Sequence, residues 1–330
     1  MLYYEEKINV FLNSRTFTVL LAILLLCSTH VAHLTGTFMN VDSGNGIFYS
    51  LSTRLIDNSL VSMGLNVVGI LAITALTVLL NKNFGFIRAV TFSYASMFLL
   101  LQLANPFVCT QFYAGTAMCL VMVISMFVLF STYQEKGFCQ QRIFLIFALL
   151  AFCCMFQYAF LVLLVAFLIG FFLMGAVDVR GVLAMLLGIV TPFWIMIGLG
   201  ITHPLSARLP LIETIWTSWH LPQVQLVITT TAVVAVLSIL LLIVNMFTIL
   251  NYRLQIRVYN YFFIVLTVVD IFMMCIDYRN MMIYIPILNW CLAIQVAHAF
   301  TINGNILRRY IPVVIMIVAG LGAYVGFLLL

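Results

Sequence analysis

The stretch IFLIFALLAFCCMFQYAFLVLLVAFLIGFFLMGA, residues 143–176, decides the fold of this chain. It contains no charged residue over 34 positions. As one helix it would be about 50 Å long at roughly 1.5 Å per residue. A hydrocarbon core about 30 Å thick accommodates that only at extreme tilt. The run has a weak break at Cys153-Cys154-Met155-Phe156-Gln157-Tyr158, where Gln157 and Tyr158 interrupt the aliphatics. The alternatives are one steep helix or a hairpin of two short ones.

Charge decides between them, because Lys and Arg accumulate on the cytoplasmic side of membrane proteins. Let the N-terminus be inside and the run be a hairpin. The cytoplasmic side then holds Lys7, Arg15, Lys82, Arg88, Lys136, Arg142, Arg180, Arg253, Arg257, Arg308 and Arg309, and the outside holds only Arg54, Arg208 and Arg279. A single crossing would flip everything downstream and change the split from eleven against three to eight against six. A hairpin near 143–176 is therefore expected.

Working outward, further apolar runs of spanning length lie at approximately 16–36, 59–80, 89–107, 112–132, 181–202, 225–250, 258–276, 281–300 and 311–329. With the hairpin they predict an all-α, polytopic transmembrane helical bundle of about eleven spans, N-terminus cytoplasmic and C-terminus outside. Composition agrees: 65% of residues are apolar, 7% are charged and mean hydropathy is +1.22. A soluble domain carries about 25% charged residues to solvate its surface. Residues 1–15 read as a cytoplasmic or interfacial segment, and 16–330 as a single transmembrane domain. After Thr16–Leu26 the chain continues CSTHVAHLTG, without a small-residue cleavage site, so the first span is expected to be retained.

Several function classes are set aside on the same basis. The net charge of +5 is scattered over short loops, not gathered into the basic face that nucleic acid needs. No Walker loop, G-x-S-x-G, H-E-x-x-H or dinucleotide fingerprint occurs, so no nucleotide partner and no cofactor are expected. The eight cysteines form no C-x-x-C pair. Six of them (Cys27, Cys119, Cys153, Cys154, Cys275 and Cys291) sit in apolar runs as small hydrophobes. His30 and His33 are three apart, but no third ligand has matching spacing, and no metal site is expected. The expected partners are membrane lipids and other envelope membrane proteins.

Polar residues concentrate on the side read as outer. Asp42, Arg54 and Asp57 lie in the first loop; His203, Arg208, Glu213 and His220 lie in the loop HPLSARLPLIETIWTSWHLPQ; Asp277 and Arg279 lie in the turn CIDYRN. An outward cavity lined by these residues would suit an anionic headgroup, with arginine holding phosphate and a carboxylate, Asp42 or Asp57, as base. Asp270 is the sharper signal. It lies inside the span VLTVVDIFMMCID, where a carboxylate is costly unless it faces water or a partner. Asp277, seven residues on, shares its face. Asn66, Asn245, Asn289, Gln295 and His298 read as interhelical packing contacts.

From about Leu65 to Gly200 the layout resembles a family of polytopic inner-membrane proteins from Bacteroidota. The resemblance rests on LNKNFGFIR, on FSYASMFLLLQLANPF, on AGTAMCLVMVISMFVLFSTYQ, on the hairpin FQYAFLVLLVAFLIGFFLMG, and on DVRGVLAMLLGIVTPFWIMIGL with Arg180, Gly188, Pro192 and Phe193. It implies a multi-pass protein of the bacterial inner membrane and no established activity. Some members carry the label beta-carotene monooxygenase, a chemistry that needs iron held by four histidines. Beyond the presence of His30, His33, His203 and His220, this sequence has nothing that supports the label.

Three functions remain open on the sequence. The first is a membrane subunit of an envelope-biogenesis or envelope-assembly system, which fits the scarcity of polar residues. The second is an enzyme like the polyprenyl-phosphate-dependent glycosyltransferases, with its site facing outward. The third is a transporter or lipid-translocating protein with Asp270 in the pathway.

Overall fold

The computed structural model describes residues 10–34, 46–49, 58–87, 92–105, 109–133, 139–176, 178–209, 222–250, 252–301 and 306–329. All regular structure among them is helical. In chain order the α-helices are α1 (Arg15–Leu34), α2 (Ser59–Phe84), α3 (Ser93–Leu103), α4 (Ala114–Phe130), α5 (Cys139–Cys154), α6 (Phe160–Leu173), α7 (Val179–Gly198), α8 (Pro222–Ile249), α9 (Leu254–Ile276), α10 (Met281–Thr301) and α11 (Ile306–Leu329).

The decisive stretch is two helices. α5 ends at Cys154 and α6 begins at Phe160, and the two pack on each other. Between them the amides of Met155, Phe156 and Gln157 turn back onto Phe152 and Cys153 carbonyls. A helix that stops in an apolar setting leaves carbonyls without donors, and something must supply them. Here a short strap does so: Ile47 N–H donates to the Cys154 carbonyl, and Phe48 and Tyr49 N–H both donate to the Met155 carbonyl. The strap fits only because Gly46 lacks a side chain. A Cβ there would stand 2.3 Å from the Met155 oxygen.

Among the described residues six helices are long and apolar enough to cross a membrane: α1, α2, α7, α9, Val224–Phe247 of α8 and Met281–His298 of α10. Five apolar segments are shorter: α3, α4, α5, α6 and the stretch Ile311–Ala323 of α11. The eleven-residue α3 reaches only about 16 Å, half the hydrocarbon thickness. The protein is thus a helical membrane bundle, with six helices of full spanning length among the described residues, against the eleven spans expected. The difference arises because hydropathy measures the apolar run, whereas the helix stops wherever its backbone turns away. Asn105, inside the expected run 89–107, is buried beyond the end of α3 and accepts from the Thr230 hydroxyl at 2.7 Å.

α10 is the axis of the bundle. It packs against α3, α4, α8, α9 and α11, and 94% of Met281–His298 is buried. A helix apolar all round belongs in such a position. α7 is the opposite case. Only 17% of its most apolar window is buried, and its most extensive contact is with α5. Its remaining surface, with Leu183, Leu186, Leu187, Val190 and Trp194 exposed, is too apolar for water and suits lipid. Asp178 caps its first turn by accepting from the Gly181 amide at 2.5 Å. At the end of α2, Gly85 takes a left-handed conformation at φ +59°, and its amide closes on the Asn81 carbonyl.

Candidate functional site: a buried polar seam

Of the residues expected to line an outward cavity, Asp42, Arg54, Asp57, Glu213 and His220 lie outside the described residues, as does the side chain of Arg279. His203 and Arg208 are exposed, flanking a short 3-10 turn at Pro204–Ser206. Arg208 belongs to the strap: its amide donates to the Ile47 carbonyl at 2.8 Å, and its own carbonyl accepts from the Tyr158 hydroxyl. Tyr49, stacked on Phe156, donates its hydroxyl to the Ile201 carbonyl. These contacts fasten a loop to the α5–α6 turn. None of them involves Asp270 or Asp277.

Asp270 and Asp277 belong to a different place, the interface of α9 and α10. The two helices run antiparallel through a tight turn at Tyr278–Asn280, so residues at heptad-like spacing face each other along their length. On α9 the facing residues are Thr267 and Asp270, with Asp277 at the helix end. On α10 they are Tyr284, Cys291, Gln295 and His298, covering about 21 Å. Helix α8 adds Asn245 alongside.

At one end Asp277 is half-buried and held tightly. It accepts from Asn280 Nδ2 at 3.0 and 3.2 Å, and from the Tyr284 hydroxyl at 3.1 Å. Asp270 lies deeper, 3% exposed, within electrostatic reach of Tyr284, Cys119 and Cys291. Its Oδ2 has no hydrogen-bond partner. Further along, Gln295 Nε2 donates to Thr267 Oγ1 at 3.1 Å, and Asn245 Nδ2 donates to the Gln295 carbonyl at 3.0 Å. At the far end the His298 ring lies 6.1 Å from that of Tyr252.

The bonds fix which way the amides point. The Thr267 hydroxyl already donates to the Phe263 carbonyl at 2.8 Å, so toward Gln295 it can only accept, and Gln295 must present its NH2. Asn245 faces a carbonyl and must do likewise. Gln295 Oε1 and Asn245 Oδ1 are thereby left buried without donors, as Asp270 Oδ2 is. Native interiors leave few such atoms, and each calls for an explanation.

Elsewhere in the spans Gln102 Nε2, Ser125 Oγ, Ser238 Oγ and Asn289 Nδ2 are also buried without a hydrogen-bond partner, but these are amide donors and hydroxyls, not lone acceptor oxygens. Asn66 is satisfied at both ends: Nδ2 donates to the Cys109 carbonyl at 2.9 Å, and Oδ1 accepts from the Thr116 hydroxyl at 2.6 Å. That is the packing role expected for it. Trp290 Nε1 donates to Thr77 Oγ1 at 2.8 Å, tying the axis helix to α2. Asn245 and Gln295, expected as packing contacts of the same kind, make one bond through their NH2 groups and leave their oxygens over. Thr267, Tyr284 and Cys291 were not singled out from the sequence. The signal for them was the spacing 284, 291, 295, 298 opposite 267, 270, 277, which becomes legible once α9 and α10 are known to be paired.

Among the described residues no three His, Cys, Asp or Glu side chains come together to hold a metal ion. Comparison with protein-family models, with curated proteins and with solved structures returns no match to this chain.

Proposed function

We propose that this chain is a multi-pass transport protein of the bacterial inner membrane, moving an ion or an ion-coupled solute through the bundle with Asp270 as the charge in the pathway. The observation that carries this reading is the Asp270 carboxylate: nearly fully buried within α9, with Oδ2 unpartnered. A carboxylate within a spanning helix is costly, about 3 kcal/mol at the centre and less toward the end, where Asp270 stands six residues from the close of α9; such residues recur in ion and proton pathways. A purely structural carboxylate would have its lone pairs filled, as those of Asp277 are by Asn280 and Tyr284.

Eleven crossings with the N-terminus inside remain the topology we favour. The eleven-to-three charge split supports it, as does the break between Cys154 and Phe160. A lipid-linked glycosyltransferase stays an alternative, because both of its candidate bases, Asp42 and Asp57, lie outside the described residues. A second reading, a membrane subunit of an envelope assembly, draws support from α7, whose exposed apolar side is suited to a partner helix within the bilayer.

The test is flux. The purified protein in liposomes, under a pH or sodium gradient, is expected to dissipate that gradient, and Asp270→Asn is expected to abolish the flux while the protein still elutes as a folded species. Equal flux from Asp270→Asn and wild type would overturn the reading. Absence of flux from both, with specific recovery of a membrane partner that an α7 surface variant loses, would favour the assembly subunit.

A further inference from the structure

The seam has more buried acceptors than donors, and that imbalance has a chemical consequence. Asp270 Oδ2, Gln295 Oε1 and Asn245 Oδ1 are unpartnered, and the three residues are 3%, 5% and 2% exposed. They come from three neighbouring helices, α9, α10 and α8. Bonds connect them: Gln295 grips Thr267, one turn from Asp270, and Asn245 grips the Gln295 backbone.

Several of the hydrogens around them are already committed. The Tyr284 hydroxyl goes to Asp277, the Cys119 thiol to the Pro286 carbonyl at 3.7 Å, the Thr267 hydroxyl to Phe263, and the Trp290 indole to Thr77. Asn289 Nδ2 is a buried donor without a partner, but Asn289 is two residues from Cys291 and so projects from the other side of α10. A proton on Asp270 would remove its charge and serve at most one of the two amide oxygens. A single cation accepts lone pairs from several oxygens at once, and hard cations prefer carboxylate and amide-carbonyl ligands. Charge balance sets its valence. Asp270 is the one carboxylate among these three residues, so a monovalent ion leaves the site neutral, whereas a divalent ion would leave a net charge in a low-dielectric interior.

We propose that Asp270, Gln295 and Asn245 form a binding site for one dehydrated alkali-metal cation. The proposal rests on the transport reading of Asp270 and specifies the class of ion that occupies it. The Asp277–Tyr284–Asn280 cluster lies at the nearer end of the seam.

The experiment is thermal unfolding of the full-length protein in detergent, at constant ionic strength, with choline chloride replaced stepwise by NaCl, LiCl or KCl. A ligand that binds the folded state raises the midpoint in a saturable, concentration-dependent way. Saturable stabilisation by at least one alkali cation over choline is expected. It should vanish in Asp270→Asn and need about tenfold more salt in Gln295→Leu or Asn245→Leu. Equal curves for all four salts in the wild-type protein would overturn the site, as would an undiminished cation response in Asp270→Asn. The wild-type series needs no variant, so a misfolded substitution does not spoil the test. Binding without liposome flux would retain the site and remove transport. Proton flux without any alkali response would retain transport and remove the site.

Discussion

Gly188 lies on α7 where that helix meets α5, and its replacement by alanine tests how the bundle's most peripheral helix is held. A Cβ built at Gly188 stands 2.7 Å from the Phe144 carbonyl oxygen, 3.1 Å from Phe147 Cβ and 3.2 Å from the Ala148 amide nitrogen. Two of these three are backbone atoms, which cannot rotate aside. Relieving the closest contact to 3.4 Å, the inner edge of ordinary van der Waals packing, requires the helices to part by 0.7 Å, the difference between 3.4 and 2.7. Overpacking of this kind costs about 1–3 kcal/mol. Alanine also recovers roughly 0.5–1 kcal/mol of helix propensity over glycine. The net effect expected for Gly188→Ala is a loss of up to about 2 kcal/mol.

Gly64 in α2 supplies the control, because a Cβ there meets nothing within 4 Å. Gly64→Ala should gain the propensity term alone. Subtracting the two results cancels that term and leaves the clash, about 1–3 kcal/mol, or roughly 5- to 150-fold in the unfolding equilibrium. Reversible unfolding in mixed detergent micelles measures both variants on one scale. If the two alanine variants shift stability by the same amount in the same direction, the close α5–α7 approach is wrong. So too is the argument that small residues let these helices touch through their backbones.

Other expectations can be checked in the same preparations. Thr116→Val keeps the shape of the side chain but strips the donor from Asn66 Oδ1, and unfolding measurements should register a loss of about 1–3 kcal/mol. Trp290→Phe removes the indole donor to Thr77 while Thr77 keeps its bond to Ile73; a loss of about 1 kcal/mol from that bond is expected, plus the packing term for the smaller ring. Gly46→Ala should loosen the strap on the α5–α6 turn, read as faster protease cleavage near residues 46–49; unchanged cleavage would mean the strap is not held there. For sidedness, Ser206→Cys should react with a membrane-impermeant maleimide in intact cells above the wild-type background. Lys82→Cys should react only after permeabilisation. The reverse pattern would invert the orientation.

The sequence by itself determined the class and much of the helix layout. A chain with 7% charged residues cannot solvate its own surface, and period and length of apolar runs are local properties that survive without a structure. Even the break in residues 143–176 was legible, because Gln157 and Tyr158 interrupt the aliphatics and the charge count favours a reversal there. What the sequence could not supply was the source of donors for the carbonyls at that break. They come from Ile47, Phe48 and Tyr49, more than a hundred residues away.

The site divided in the same way. Asp270 was conspicuous because a lone carboxylate in an apolar run is anomalous against its immediate neighbours. Gln295 and Asn245 were not conspicuous, since a single amide in a span is ordinary packing and looks no different from Asn66. Only the paired helices show that Asn66 has both ends satisfied while Gln295 and Asn245 each have an oxygen left over. Hydrogen-bond satisfaction is a property of partners brought together by the fold, and no single stretch of sequence contains both members of the pair. The tertiary structure therefore decided which of several similar polar residues belong to a site, and it moved the focus from the exposed loops to the α8–α9–α10 interior.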